Sequence, residues 1–433
     1  MTVTIFTVSL LAAMAIGMPI AYALLVCGVS LMGWLAYTGG LPAFDSQIIA
    51  QRFVDGADNF PLLAVPFFLL AGEFMTAGGL SRRIVDMAMA WVGHFRGGLG
   101  YVAVVAAIIM ASISGSAVAD TAALAALLIP MMNRAGYDTK RSAGLIAAGG
   151  IIAPVIPPSI GFIVFGVAGN VSITKLFLAG IVPGILMGVA IGIAWWIVAR
   201  RDKVQPAPRV PLGERLAITA KGSLALALPV VIIGGMKFGI FTPTEAAVVA
   251  AVYSLLVGMF VYRELKPSML YRLTLAAGKT TAVVMFLVAA AMVSAWLITV
   301  ADIPGEVTKM LEPFMGNKTL LMLVIMVLIV IVGTALDFTP TVLILTPVLM
   351  PVVLKAGIDP VYFGVLFIIN NAIGLITPPV GTVLNVVCGV ARITMDDAFK
   401  GVMPFLIAQL IVLFAMVFFP QIVTVPLSWW LAR

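Results

Sequence analysis

Long apolar runs separated by short clusters of charge dominate this chain. Asp120 is the only charged residue in 97–133, Lys175 the only one in 142–199, and Asp337 the only one in 319–350. Runs of this length suit a lipid bilayer, where only helices and closed barrels satisfy their own backbone polar groups. The pattern predicts an all-α polytopic membrane protein.

Two kinds of run depart from simple spans. Residues 97–133 lie between the basic segments 82–96 and 134–141, which place both ends on the cytoplasmic side. The stretch is too short for two full spans, which need about 40 residues plus a turn. Its centre, Ser112-Ile113-Ser114-Gly115-Ser116, is a poor sequence for continuing a helix. A re-entrant helical hairpin with its tip near mid-membrane is therefore expected. Residues 142–170 contain Pro154, Pro157 and Pro158, each lacking an N–H and crowding the turn behind it. That segment reads as a broken transmembrane helix. Its central loop is tolerable only where it is buried in protein or lines a cavity.

The second half repeats the plan. Residues 130–138 match 351–359 at an offset of 221, as do Pro157-Pro158 with Pro378-Pro379, Gly180 with Gly401 and Pro183 with Pro404. Gly115-Ser116-Ala117 pairs with Gly333-Thr334-Ala335 at 218, which predicts three extra residues near Asp337 in the second copy. Segment 134–141 is net basic whereas its counterpart, 355–359, is neutral, so the copies are inverted and the second hairpin (320–350) opens to the outside. Inverted repeats of this kind place a transport site where the breaks meet near the midplane. The expected organisation is N-terminal scaffold spans and a first interfacial arm (1–96), a first hairpin-plus-broken-helix repeat (97–170), scaffold spans with a cytoplasmic linker at 200–221 (171–300), a second arm (301–318), a second repeat (319–391) and a C-terminal scaffold span (392–433). Basic residues also mark 263–279 as cytoplasmic, with two spans, 223–235 and 246–262, joined by an outer turn at 241–245.

Composition narrows the function. Of 433 residues, 62% are hydrophobic and 10% charged, against about a quarter charged in soluble domains. A water-soluble enzyme, a disordered chain and a disulfide scaffold are excluded. The net charge of +7 sits in short loops that orient the chain in membrane lipid, and it does not point to nucleic acid. Cys27 and Cys388 fall in apolar segments and read as packing residues. A single histidine, His94, offers neither a histidine metal site nor a catalytic triad. The first residues lack the features of a removable signal peptide and read as a first retained span. No glycine-rich loop ending in Lys-Ser/Thr suggests nucleotide use.

The polar residues cluster on the breaks. The first tip offers Ser112, Ser114, Ser116, Asp120 and Thr121. The first broken helix offers Ser159 and the carbonyls of 154–158. The second tip offers Gly333, Thr334, Asp337, Thr339 and Thr341. The second break offers Thr377, Thr382 and Asn385, with Asn370 and Asn371 earlier. Hydroxyls, carboxylates and unwound carbonyls are hard donors suited to Na⁺, and half-helix N-termini suit an anionic substrate. The alternative is that these hydroxyls only join helices or bond back to carbonyls. Asp120 and Asp337, as intramembrane carboxylates, are cation-site candidates. Either could instead carry a proton, but no chain of Asp, Glu and His leads on from them. Ser159, Thr339, Thr382 and Asn385 are candidates for substrate contact.

With these residues in place, the sequence resembles the large membrane subunit of tripartite ATP-independent periplasmic (TRAP) transporters, in the ion-transporter superfamily. The resemblance rests on Ser114-Gly115-Ser116-Ala117-Val118-Ala119-Asp120, Ile156-Pro157-Pro158-Ser159-Ile160, Gly239-Ile240-Phe241-Thr242-Pro243-Thr244-Glu245-Ala246-Ala247 and Thr377-Pro378-Pro379-Val380-Gly381. It implies an elevator-type secondary transporter of the bacterial inner membrane, driven by two or more Na⁺ ions and importing an organic acid (a dicarboxylate, a sugar acid or a sialic-acid-like compound). It also implies a periplasmic substrate-binding protein and a separate small four-helix membrane subunit as partners. Carried over, one sodium site falls at Ser114, Ser116 and Pro157, with Asp120 added, and the other at Thr334 and Thr377. A stand-alone carboxylate or anion transporter of the same superfamily is the alternative. A channel or purely structural subunit is the third reading.

Overall fold

The computed structural model describes residues 2–200, 204 and 206–431, and no strand occurs among them. The N-terminal stretch, where a first retained span is expected, holds two helices, α1 (Thr2–Ala15) and α2 (Ile20–Tyr37). Gly17, at φ +81°, and Pro19 separate them, since each interrupts a helix. α3 (Ser46–Ala57) starts at Asp45, whose carboxylate accepts from Gln47 N at 2.8 Å. A 3-10 turn (Phe60–Leu63) leads into α4 (Ala64–Ala77). α5 (Leu80–Val92) buries Leu80, Ile84, Val85 and Ala88 at helical spacing and turns Arg82 outward.

The first repeat follows: α6 (Gly98–Ser114), α7 (Ala117–Arg134), α8 (Thr139–Gly150), α9 (Ile160–Gly169) and α10 (Ile173–Ala199). After the linker come α11 (Leu212–Lys237), α12 (Pro243–Leu256, continued by a π turn to Val261), α13 (Pro267–Val300) and α14 (Ile303–Leu311). The second repeat is α15 (Lys318–Ala335), α16 (Phe338–Lys355), α17 (Pro360–Gly374), α18 (Thr382–Ala391) and α19 (Met395–Phe418), and α20 (Gln421–Leu431) ends the chain. Nine helices among the described residues are long and apolar enough to cross a membrane. The fold is that of an inverted-repeat transporter, with two hairpins (α6–α7 and α15–α16) and two broken helices (α8–α9 and α17–α18).

Two basic segments read as cytoplasmic are partly helical. Of the linker 200–221, residues 201–203 and 205 lie outside the described residues, and its last part is already helical because α11 begins directly after Pro211. Arg215 fixes that start, donating Nε–H to Val210 O at 2.7 Å. Of the segment 263–279, only the residues before Pro267 are outside a helix. Pro267 opens α13 at a position where its missing N–H costs nothing, so Arg272 and Lys279 ride on the helix.

Helix starts reproduce the internal repeat. α7 and α16 begin at 117 and 338, α8 and α17 at 139 and 360, and α10 and α19 at 173 and 395. Asp138 caps α8 through Arg141 N, and Asp359 caps α17 through Tyr362 N. The tip of the second hairpin departs from the expected register. Gly333 and Thr334 lie inside the last turn of α15, and Asp337, not Thr334, stands where Ser116 stands in the first copy. The three extra residues expected beside Asp337 are absent, because α7 and α16 start and end at the same interval.

Side-chain contacts sort the connecting segments onto two faces. Trp195 donates to Gly97 O at 2.8 Å, Arg96 to Arg200 O at 3.2 Å, and Lys140 pairs with Asp397 at 2.7 Å. These gather the base of the first hairpin with the end of α10 and the start of α19. On the opposite face Lys318 donates to Gly357 O at 2.7 Å, closing the base of the second hairpin. The two hairpins thus enter from opposite sides.

Candidate cation and substrate site at the hairpin tips

At the first tip Ser114 ends α6, and Gly115 turns the chain at φ +64°. A Cβ on Gly115 would stand 2.3 Å from Pro158 O, so only glycine lets the tip seat on the broken helix. Ser116 begins α7, its Oγ accepting from Ala119 N at 3.4 Å. Ser114 Oγ accepts from Ser116 N at 3.2 Å and donates to Asp120 Oδ1 at 2.5 Å. Asp120 is 3% exposed, and its second oxygen has no hydrogen-bond partner among the described residues. Thr121 Oγ1, equally unpartnered, lies against Gly150, where a Cβ would fall 1.7 Å away. Residues 151–159 are buried throughout. Ser159 caps α9 through Phe162 N at 3.1 Å and donates to Pro154 O. The Pro157–Pro158 and Pro378–Pro379 bonds are both cis.

The second tip is built from different groups. Asp337 makes no capping bond to α16; its Oδ1 accepts from Thr382 Oγ1 at 3.3 Å, reaching across to α18. Thr334 O accepts from Val380 N at 3.4 Å, and a Cβ on Gly374 would meet Gly333 O at 2.6 Å. The last turn of α15 is thereby pressed onto the second break. Thr334 and Thr377 turn their hydroxyls back to Ile331 O and Ile373 O. Thr341 does the same to Asp337 O.

The two halves meet. A Cβ on Gly161 would stand 2.7 Å from the Phe338 ring, so the start of α9 touches the second tip, while α18 packs against α7 and α8. The structure brings Ser114, Ser116, Asp120, Pro157 and Ser159 together at the first tip. Gly333, Thr334, Asp337, Thr377 and Thr382 come together at the second. Three further candidates flank these clusters. Ser112 bonds back to Ile109 O within α6, Asn385 is exposed and donates to Val380 O, and Thr339 lies half-buried in the first turn of α16. The seating of Gly115 on Pro158 and of Gly333 on Gly374 escaped sequence reasoning; a glycine beside each break was the available signal.

The helices lend charge to these clusters. α7, α9, α16 and α18 present N-termini at the breaks, ends that favour an anionic group. α6, α8, α15 and α17 present carbonyl ends, which favour a cation. The oxygens on offer are hydroxyls, carbonyls and single carboxylates, a donor set for a hard cation rather than for softer metals.

Comparison with known proteins agrees with this geometry. The family model of the tripartite ATP-independent periplasmic transporter, DctM component, matches residues 7–422. The chain is 57% identical to the 2,3-diketo-L-gulonate TRAP transporter large permease protein YiaN of Escherichia coli, covering 99% of this chain and 100% of that one. It is 39% identical to the C4-dicarboxylate TRAP transporter large permease protein DctM of Pseudomonas aeruginosa, covering 86% and 88%. The crystal structure of the Alcanivorax borkumensis YdaH transporter superposes with a TM-score of 0.63 at 15% identity, over 85% of this chain and 86% of that one. These relatives are transporter permeases, not enzymes, and the chain belongs to the DctM component family of tripartite ATP-independent periplasmic transporters.

Proposed function

We propose that this chain is the large permease of a Na⁺-driven importer of an organic acid in the bacterial inner membrane, working by an elevator movement. The observation that carries the reading is the pair of oxygen-rich hairpin tips, each seated on a broken helix and entering from opposite faces. The 57% identical relative named for 2,3-diketo-L-gulonate supports a sugar acid as the substrate class. The tripartite family supports a periplasmic binding protein that delivers it and a small membrane subunit that completes the scaffold.

Depth supports the elevator. A Cβ on Gly72 would stand 3.5 Å from Ser114 Cβ, so the first tip lies beside Gly72. With Phe60–Ala77 as one apolar run, Gly72 is about 7 Å from the inner end and about 18 Å from the outer end at 1.5 Å per residue. The first tip, expected near mid-membrane, is in this reading displaced toward the inner end, and a site there reaches the outer side most directly by moving as a body. That body includes α10 and α19 in this proposal, which differs from the expected boundaries at 171 and 392. Cβ atoms on Gly144 and Gly401 would each meet the other helix's backbone, at 2.2 and 1.9 Å, and one on Gly180 would meet Val155 O at 2.4 Å. Helices in backbone contact with the broken segments cannot slide past them.

The test is transport by the protein reconstituted with its two partners. Substrate should accumulate under an inward Na⁺ gradient without ATP. Full activity in Na⁺-free buffer under a pH gradient would overturn the coupling. Uptake that needs no binding protein would make the chain a stand-alone transporter instead.

A further inference from the structure

The second break carries a buried amide oxygen that the first lacks. Gly149 and Gly150 close α8, and at the repeat interval their counterparts near the end of α17 are Asn370 and Asn371. At Gly150 there is no room for a side chain: a Cβ would stand 3.2 Å from Ala117 O as well as against Thr121. In the second copy the equivalent carbonyl is Phe338 O, the first of α16, and Asn371 Nδ2 donates to it at 2.7 Å. One carbonyl is thus met by bare backbone in the first repeat and by an amide in the second.

That bond fixes the direction of the amide. With Nδ2 held by Phe338, Oδ1 faces the last turn of α15, where a Cβ on Gly333 would be 3.5 Å from it. Asn371 is 1% exposed, and Oδ1 finds no hydrogen-bond partner among the described residues. A buried amide oxygen left unsatisfied is costly. Gly333 O and Thr334 O belong to that same turn, the carbonyl end of α15, where the helix dipole favours positive charge. We propose that Asn371 Oδ1 is a ligand of the cation held at the second hairpin tip, an assignment that rests on the sodium reading above. The two cation sites are then chemically unequal: each has a carboxylate, Asp120 or Asp337, and the second adds a neutral amide that the first lacks. Asn370, whose Oδ1 is equally unpartnered among the described residues, serves as a contrast in position, because its amide donates to Met326 O at 2.7 Å, two turns further back along α15 and away from the tip.

The experiment reads Na⁺-dependent thermal stabilisation of the full chain with its small membrane partner, with choline chloride as the ionic-strength control. Asn371→Gly copies the first repeat and should raise the half-saturating Na⁺ concentration at least tenfold. Asn371→Ala takes its place if the glycine variant does not fold. Asn371→Asp keeps an oxygen while losing the donor to Phe338, and should respond at the parent's Na⁺ concentration or below. Asn370→Gly should stay within twofold of the parent. Asn371→Gly or Asn371→Ala responding like the parent, or Asn371→Asp weakened as much as they are, would overturn the assignment alone. A parent with no Na⁺ response would overturn the sodium reading and this assignment with it.

Discussion

The side-chain amide of Gln409 donates to the backbone carbonyl of Met187 at 3.0 Å, and the two residues are 222 positions apart. The same interval separates Ile173 and Met395, the first residues of α10 and α19. A position in the first repeat is therefore bonded to its own counterpart in the second. Counterparts touch only beside the pseudo-two-fold axis that relates the copies. Gln409→Met keeps the volume and removes one interhelical bond in an apolar setting. Melting should show a loss of about 0.6–1.7 kcal/mol, with transport retained. A larger loss would mean that Gln409 Oε1, unpartnered among the described residues, holds a further group.

Asp337→Asn tests the second tip. The carboxylate makes no capping bond to α16, so the cost to stability should stay below the roughly 0.5–2 kcal/mol of a lost cap. The half-maximal Na⁺ concentration for transport should rise roughly tenfold, the effect of about 1.4 kcal/mol of lost binding. A lowered melting temperature with unchanged Na⁺ dependence would make Asp337 structural.

Gly401→Ala tests the union of α19 with α8. The new methyl would stand 1.9 Å from Lys140 O, a backbone atom that cannot swing aside. Overpacking of this kind costs typically about 1–3 kcal/mol, and here the lower bound should be exceeded. Normal stability in a thermal melt would show that the helices separate easily, against their moving as one body.

A disulfide probe tests the depth of the first tip. After replacement of Cys27 and Cys388, cysteines at 72 and 114 would have Cβ atoms near 3.5 Å apart, at the short edge of the disulfide range of about 3.5–4.5 Å. The pair should cross-link on oxidation and stop transport. Reduction should restore the activity of the Ser114→Cys single variant. Transport at that level while cross-linked would show that the tip does not move away from α4.

The hairpins, the broken helices and the inversion were legible because lone charges, a Gly-Ser tip and Pro-Pro pairs have direct backbone consequences. The register of the second tip was not. Gly333-Thr334 imitates Gly115-Ser116 in letters, yet Val-Gly-Thr-Ala continues a helix in apolar surroundings whereas Ser-Gly-Ser ends one. Sequence also could not say which way a hydroxyl turns. Ser112, Thr334 and Thr377 all bond back to their own helices, whereas Ser114 reaches Asp120, and that choice is made by neighbours distant in the chain. The grip of α10 and α19 on the broken segments was hidden for the same reason: hydropathy marks them as spans, and only the glycine contacts reveal what they touch.

α13 runs for 34 residues, about 51 Å at 1.5 Å per residue, whereas the hydrocarbon of a bilayer is about 30 Å thick. Its charged residues, Arg272 and Lys279, are confined to the first part, and the charge-free stretch 280–300 rises about 30 Å. The helix is thus a depth gauge with its zero mark at Lys279, its charge-free length matching the hydrocarbon thickness. Its foot, some 20 Å of charged helix, extends beyond that mark as a post. A thicker bilayer would have to submerge Lys279, whereas a thinner one would bare only apolar surface, so membrane thickness would press on this subunit unequally from its two sides.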